Sequence, residues 1–290
     1  MTTLFTDEHT ALRAQIRRFV ADRLTPHADA WEDAGPFPRS VYADAAAAGV
    51  LGIGFPEAYG GAGGDVAHMV VVAEELTRSG SPGLAASLGS LCIALPPIVH
   101  AGTEAQKQRW LPPVLRGEWI AALAITEPGG GSDVANLTTR AVRTDTGWTL
   151  HGQKTFITSG TRADLVVVAA RTGGPGAGGV SLFGVETAGG GVGVGKPLQK
   201  MGWHASDTAE LFFDGTPLPE DALIGPENGG FVVAMINFAT ERLVLAVTAV
   251  AIAELALEHT VAYVKSRQAF GRSIAGFQVT RHRLADMATE

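Results

Sequence analysis

Leu123-Ala-Ile-Thr-Glu-Pro-Gly-Gly-Gly-Ser-Asp133 joins two unlike kinds of chain. A strand-like apolar run enters a Pro/Gly loop that ends in Ser-Asp. Three successive glycines carry no Cβ, so the backbone there can approach a ligand closely and aim N–H groups at it. Ser132 adds a hydroxyl donor. The plainer reading of the same residues is a tight β-turn. Downstream, Arg140–Arg143, Trp148–Leu150, Leu165–Ala170, Val180–Val185 and Ala209–Phe213 are short runs rich in Val, Phe and Thr. Glycine clusters at 173–179, 189–191 and 215 punctuate them. Strands at this spacing predict a small antiparallel barrel or sandwich.

Upstream, the pattern is helical. Phe5, Leu12, Ile16, Phe19, Val20 and Arg23 follow the 3.6-residue period behind a Thr6-Asp7 cap. Apolar stretches at 66–76 and 84–99 are separated by the breaker Ser79-Gly-Ser-Pro-Gly83. A shorter helix is expected from Thr103, with Gln106 completing a capping box, to Leu111, stopped by Pro112-Pro113. Glu74 and Glu75 are expected on a solvated helix face. After Asn228, a cap candidate, the run 231–265 is apolar nearly all round, as in a helix buried in a bundle. Gly271 interrupts it, and another helix begins near Phe277. That helix ends at Glu290 with no capping Gly or Pro, the expectation being a bundle that continues elsewhere. The organisation is therefore α+β: an N-terminal helical domain over 1–118, a β domain over 119–227 and a partial C-terminal helical bundle over 228–290. Segregated elements argue against a dinucleotide-binding βαβ unit. Gly174-Pro-Gly-Ala-Gly-Gly179 lies between two strand-like runs with no helix following, so it is read as a loop.

Composition sets bounds. With 46% hydrophobic and 18% charged residues in 290, the chain can bury a core without covalent staples. A formal charge of −7 argues against nucleic acid as a partner. The longest apolar run, 243–253, which includes Thr248, falls short of the roughly 20 residues a bilayer requires, so no transmembrane segment is expected. The N-terminus has no basic or apolar leader character. A single cysteine, Cys92, leaves no disulfide framework and no cysteine-based zinc site; a cytoplasmic protein is the expectation. Cys92 itself is expected as a small buried residue. The eight histidines show neither an HxxxH nor an HExxH spacing, so no metal is expected.

Four further blocks accompany the glycine loop: Gly49–Asp65 (GVLGIGFPEAYGGAGGD), Gly152–Gly160 (GQKTFITSG), Lys200–Leu211 (KMGWHASDTAEL) and Arg267–Gln278 (RQAFGRSIAGFQ). As an ordered set covering nearly the whole chain, they resemble the acyl-CoA dehydrogenase family. The resemblance implies a helical domain, a β domain and a four-helix bundle, with FAD as cofactor and an acyl-CoA as substrate. It implies that backbone at Ile125 and Thr126 meets the flavin ring, and that Gly131 and Ser132 meet the pyrophosphate. It places Phe156 against the isoalloxazine face and Thr158 near N5. Many members carry Trp at the Phe156 position, and Phe keeps the apolar stacking without the indole N–H. Arg267, Phe270 and Gln278 would reach the FAD of a neighbouring subunit, which implies a homodimer or homotetramer. Glu127 would have a structural role in the flavin loop.

Glu241 and Arg242 sit inside the apolar helix. Adjacent helical residues point about 100° apart, so they cannot pair face to face. A carboxylate among Phe238 and Leu245 is costly unless it is hydrated, paired or functional, and desolvation raises its pKa towards that of a general base working near neutral pH. Most members of the family place the catalytic glutamate on a loop this sequence lacks. The long-chain and isovaleryl types place it on this helix within an E-R-L run, as in Thr240-Glu-Arg-Leu243 here. The resemblance therefore implies Glu241 as the base taking an α-proton while hydride passes from the β-carbon to flavin N5, giving the trans-2-enoyl-CoA. The competing reading is a helix residue facing a bundle partner. Arg242 and Ser132 are expected at the substrate. Small residues in the 84–95 stretch (Ala85, Ala86, Ser87, Gly89, Ser90) predict room for medium or longer acyl chains. An electron-transfer flavoprotein or similar acceptor would take the electrons. Two alternatives stay open: a flavin-dependent monooxygenase or oxidase on the same fold, and a truncated, non-catalytic homologue or partner subunit lacking the last bundle helices. An acyl carrier protein in place of CoA also stays open.

Overall fold

The computed structural model describes residues 4–290. Helix α1 (Asp7–Phe19) starts at Thr6, whose side chain and that of His9 form a reciprocal capping box, and it runs on through a π turn over Val20–Leu24. Then come α2 (Ala28–Ala34), α3 (Ser40–Ala47) and α4 (Val66–Thr77). Asp65 caps α4 by accepting the Ala67 and His68 N–H groups at 2.9 and 3.2 Å. The apolar stretch 84–99 folds as three short helices, α5 (Pro82–Leu88), α6 (Leu91–Ala94) and α7 (Pro96–Ala101). Helix α8 (Glu104–Leu115) begins at the expected Thr103–Gln106 box. It does not stop at Pro112-Pro113. Proline's fixed φ is already helical, and the carbonyls left without a donor, on Gln108 and Arg109, belong to exposed residues that water can serve.

The glutamates of α4 correct a second expectation. Glu75 is 0% exposed, not on a solvated face. Helix α1 packs on α4, and Arg13 Nη1, Arg17 Nε and Arg17 Nη2 donate to the Glu75 carboxylate at 2.9, 2.8 and 2.7 Å. Glu74, half-buried, pairs with Arg13. A charge this deep is held only because several donors converge on it.

The β domain is one sheet of eight strands: β1 (Ala121–Ala124), β2 (Arg140–Thr144), β3 (Gly147–Thr158), β4 (Leu165–Arg171), β5 (Val180–Glu186), β6 (Val192–Val194), β7 (Thr208–Pro219) and β8 (Leu223–Ile224). The order is β6-β7-β3-β2-β4-β5-β8, with β1 added on β4. Pairing is mostly antiparallel, but β1 runs parallel to β4, and β2 touches β4 in parallel at Arg140 and Arg171. The sheet is therefore mixed, and its path is open between β6 and β8. Strand β4 is apolar from Leu165 to Ala170 because both faces are covered there. Leu165, Val167 and Ala169 join the core of the helical domain, with Leu95, Ile98 and Trp110. Val166, Val168 and Ala170 join a second core with Trp148, Leu150, Phe183, Leu211 and Phe213, around which the sheet curls. The glycine cluster 173–179 is the β4–β5 loop, with a short 3-10 turn.

Helix α9 (Gly230–Ser266) runs unbroken over 37 residues. Asn228 does not cap it: it sits two residues earlier in the left-handed region at φ 65°, and its side chain accepts from Thr172. By length and apolar composition α9 could cross a membrane, which the 243–253 run had not suggested. In the fold it packs on α4, α6, α7 and β5, and Glu258 pairs with Arg78 at 2.6 Å. Strands β9 (Gln268–Ala269) and β10 (Arg272–Ser273) form a tight hairpin. Its two central residues, Phe270 and Gly271, both have positive φ, 52° and 75°, as a two-residue turn of this hand demands. Helix α10 (Gln278–Thr289) follows.

Candidate active site

The glycine loop is fixed from beneath by buried charge. Glu127 and Gly130 exchange backbone hydrogen bonds at 3.1 Å, so the segment is a tight turn. The Glu127 side chain, 6% exposed, accepts from Thr138 N and Oγ1 at 2.6 and 2.7 Å and from Thr139 N at 2.9 Å. Lys154, on β3 and 0% exposed, donates to Glu127 Oε1 at 2.8 Å and to the Ile125 carbonyl at 2.9 Å. Burial alone would raise the Glu127 carboxyl, but the Lys154 ammonium and the two threonines hold it down at about 2. Burial takes Lys154 down to about 8, against the pull of Glu127. At neutral pH both are charged. Above this support, Gly129 and Gly130 are exposed, and a Cβ on either would meet nothing. Gly131 and Ser132 are exposed beside them.

Strand β3 meets the loop where the Thr155 N–H donates to the Thr126 carbonyl at 2.9 Å. There β3 bulges: Lys154 faces Leu211 and Ile157 faces Ala209, so two residues oppose one. The bulge puts Phe156 in the left-handed region, φ 58°, and leaves the residue 68% exposed. A bulky residue there costs roughly 1–2 kcal/mol, and such strain is concentrated at functional sites. An outward aromatic face thus stands next to an open backbone turn.

Two residues on, Thr158 lines a cavity of about 260 Å³ between the β domain, the α4–α6 region and α9. Its walls are largely apolar: Met69, Val72 and Leu76 from α4, and Val244 and Leu245 from α9. Ala85, Ala86, Gly89 and Ser90 form one side. Glu241 lies in this wall. Burial pushes its carboxyl up to about 7, against a hydrogen bond from the Asn237 amide and the charge of Arg242. Cys92 lines the same cavity, which accounts for its partial exposure; burial and the Glu241 carboxylate push its thiol up to about 12.

The structure thus brings together Ile125, Thr126, Gly131, Ser132 and Phe156 along one edge, and Thr158 and Glu241 in the adjoining cavity. Arg242 is exposed on α9 and does not line the cavity. Arg267, Phe270 and Gln278 lie apart, exposed on the hairpin and the start of α10. Among the described residues no hydrogen bond or ion pair links their side chains to the glycine loop. Sequence reasoning missed Asn237. Its signal was a buried amide one turn before Glu241 in an otherwise apolar helix. It also missed Trp203, which lines the cavity with positive φ, 59°.

These features place an open glycine turn and an outward aromatic ring on the sheet domain, beside an apolar cavity whose wall holds the Glu241 carboxyl. Residues 6–118, 122–216 and 228–290 match the family models described as acyl-CoA dehydrogenase N-terminal, middle and C-terminal domains. The chain belongs to the acyl-CoA dehydrogenase family, whose members are FAD-dependent, flavin-linked oxidoreductases. It is 42% identical over 289 residues to the mitochondrial long-chain specific acyl-CoA dehydrogenase of Mus musculus, covering 99% of this chain and 67% of that protein. It is 37% identical to the mitochondrial isovaleryl-CoA dehydrogenase of Pongo abelii, covering 98% of this chain and 68% of the relative. A crystal structure of a probable acyl-CoA dehydrogenase from Mycobacterium abscessus superposes with a TM-score of 0.95 at 47% identity, over 98% of this chain and 76% of that one. The residues present fit FAD: an open glycine turn suits a pyrophosphate, and an outward aromatic face beside it suits a flat ring system.

Proposed function

We propose that this chain holds FAD across the Ile125–Ser132 turn and the Phe156 bulge and dehydrogenates an acyl-CoA at its α,β-bond to the trans-2-enoyl-CoA. FAD, when bound, supplies the hydride acceptor for the β-carbon. Glu241 is the base that removes the α-proton. The observation that carries this is its place: a carboxyl held at about 7 in an apolar cavity wall that it shares with Thr158 of the cofactor strand. At neutral pH about half of it is ionised, so it can take a proton and release it again. The Asn237 amide orients the carboxylate. The apolar walls exclude water, which keeps the base from being solvated. Ser132 and Arg242 are assigned to the rim, on the CoA portion of the substrate. Arg267, Phe270 and Gln278 face outwards and are assigned to the FAD of a second subunit in a homodimer or homotetramer. An electron-transferring flavoprotein is the proposed acceptor.

The functional division follows 1–118, 119–227 and 228–290. Helix α9 is read as a bundle helix of a soluble, cytoplasmic protein: Glu241, Arg242 and Glu254 interrupt it, and its neighbours are helices and a strand. Small residues at 85, 86, 89 and 90 leave room for medium or longer acyl chains. The test is a kcat/KM series over acyl-CoA lengths with a dye acceptor, identifying the product as the 2-enoyl thioester. A maximum at butyryl-CoA would sink the chain-length reading. Oxygen consumption without enoyl product would favour an oxidase or monooxygenase instead.

A further inference from the structure

Two helix N-termini meet at the edge of the helical domain. His9 is the third residue of α1 and His68 the third of α4, and their rings lie 4.1 Å apart. Each ring turns Nδ1 towards its own helix start: His9 accepts from Thr6 N–H at 3.0 Å, and His68 from Asp65 N–H at 3.2 Å. That role needs one nitrogen per ring. It leaves His9 Nε2 unexplained. The residue is only 5% exposed, and Nε2 has no hydrogen-bond partner among the described residues. It lies 3.7 Å from Asp65 Oδ1, which is 2.8 Å from His68 Nδ1.

We propose that His9 Nε2, Asp65 Oδ1 and His68 Nδ1 form a binding site for a divalent transition metal of the zinc type, with water completing the shell. Two imidazoles and a carboxylate are a borderline-soft set that suits zinc. Bonds of roughly 2.0–2.2 Å in a tetrahedron hold donors about 3.3–3.5 Å apart. The observed 3.7 and 2.8 Å bracket that span, and all three donor atoms lie within 4.8 Å of one another, so the site closes with small side-chain shifts. The second nitrogens also fit. A histidine bound to metal donates its other N–H to an oxygen. With the metal in place His9 Nδ1–H faces Thr6 Oγ1 at 2.8 Å, and His68 Nε2–H faces the Glu8 carboxylate at 3.6 Å. The metal takes the His68 Nδ1 lone pair in place of the Asp65 N–H, and a protonated His9 Nδ1 releases the Thr6 N–H; Thr6 and Asp65 are both exposed, so water serves the two freed donors. The metal would clip α1 to α4, the helix that supplies one wall of the cavity.

The test is a Co²⁺ titration of chelator-treated full-length protein by visible absorption, with Zn²⁺ as competitor, on wild type, His9→Gln and His68→Gln. The expected result is a saturable low-symmetry cobalt spectrum displaced by zinc. Affinity should fall by at least about tenfold in each variant, since loss of even an outer-shell partner costs roughly 10–100-fold. Zinc should raise the thermal midpoint of wild type only. Equal affinity in all three proteins, or no saturable binding in wild type, overturns the site. If circular dichroism shows a histidine variant unfolded, Glu8→Gln decides: weaker cobalt binding supports the site, unchanged binding overturns it.

Discussion

Lys154→Met isolates the buried ion pair beneath the cofactor turn. Wild-type Lys154 is fully buried and donates to Glu127 Oε1 at 2.8 Å and to the Ile125 carbonyl at 2.9 Å. The methionine fills most of the volume but removes the charge. Glu127 is then a carboxylate, 6% exposed, with only Thr138 and Thr139 as donors. Breaking a buried pair by deleting one partner costs about 3–5 kcal/mol. The three remaining hydrogen bonds place this case near the lower end, at about 3 kcal/mol. The Ile125 carbonyl, left without its donor, adds about 1 kcal/mol. Urea unfolding should therefore show a loss of about 4 kcal/mol. The double variant Glu127→Gln/Lys154→Met should recover most of it, because an apolar or neutral replacement of both charges is close to neutral. The carboxylate also sets an acid limit. Its folded value, about 2, lies below its ordinary one, so its contribution is present above about 4.5 and is lost as pH falls towards 2. A single-variant cost below about 1 kcal/mol, or a double variant as unstable as the single, would refute the reasoning.

Four more outcomes follow from the site and the fold. Because Glu241 must be ionised to act and sits at about 7, kcat/KM should fall below that pH, and Asn237→Ala, which removes a bond favouring the ionised form, should move the limb upwards. The same raised value makes folded stability fall as pH rises from about 4.5 to about 7, so Glu241→Gln should be inactive yet more stable than wild type at pH 8, the gap closing near pH 4.5 in thermal melts. Glu75→Gln weakens three charge-assisted bonds from Arg13 and Arg17, and should cost about 1.5–3 kcal/mol in urea unfolding without changing KM. Phe156→Gly relieves roughly 1–2 kcal/mol of left-handed strain but adds roughly 0.5–1 kcal/mol of chain entropy, so the apo-protein should be no less stable while FAD binds more weakly; equal FAD affinity would contradict the stacking role.

Local features were legible in the sequence and distant ones were not. The glycine turn, the capping box at Thr103 and the long apolar helix each write their pattern within a few residues. Glu75 looked like surface because its partners Arg13 and Arg17 are 62 and 58 residues away in the chain. The histidine pair escaped a spacing search for the same reason: only the packing of α1 on α4 brings His9 to His68. Pro112 and Pro113 read as a stop, yet the helix continues where water can serve the freed carbonyls. The parallel pairing of β1 with β4 has no local signature, so the sheet was expected to be wholly antiparallel. Phe156 was placed by resemblance, but its left-handed backbone comes from a bulge that only the β3–β7 register shows. Glu241 was legible as a charge in an apolar helix; the cavity that raises its carboxyl was not, because it needs Thr158 and α4 to close around it.

The most direct test is a visible spectrum of the FAD-reconstituted protein, taken anaerobically before and after octanoyl-CoA, for wild type and Glu241→Gln. The account predicts that the flavin band bleaches in wild type and persists in the variant. A flavin-loaded wild type that stays oxidised, or a variant that bleaches equally well, would contradict Glu241 as the base of an acyl-CoA dehydrogenation.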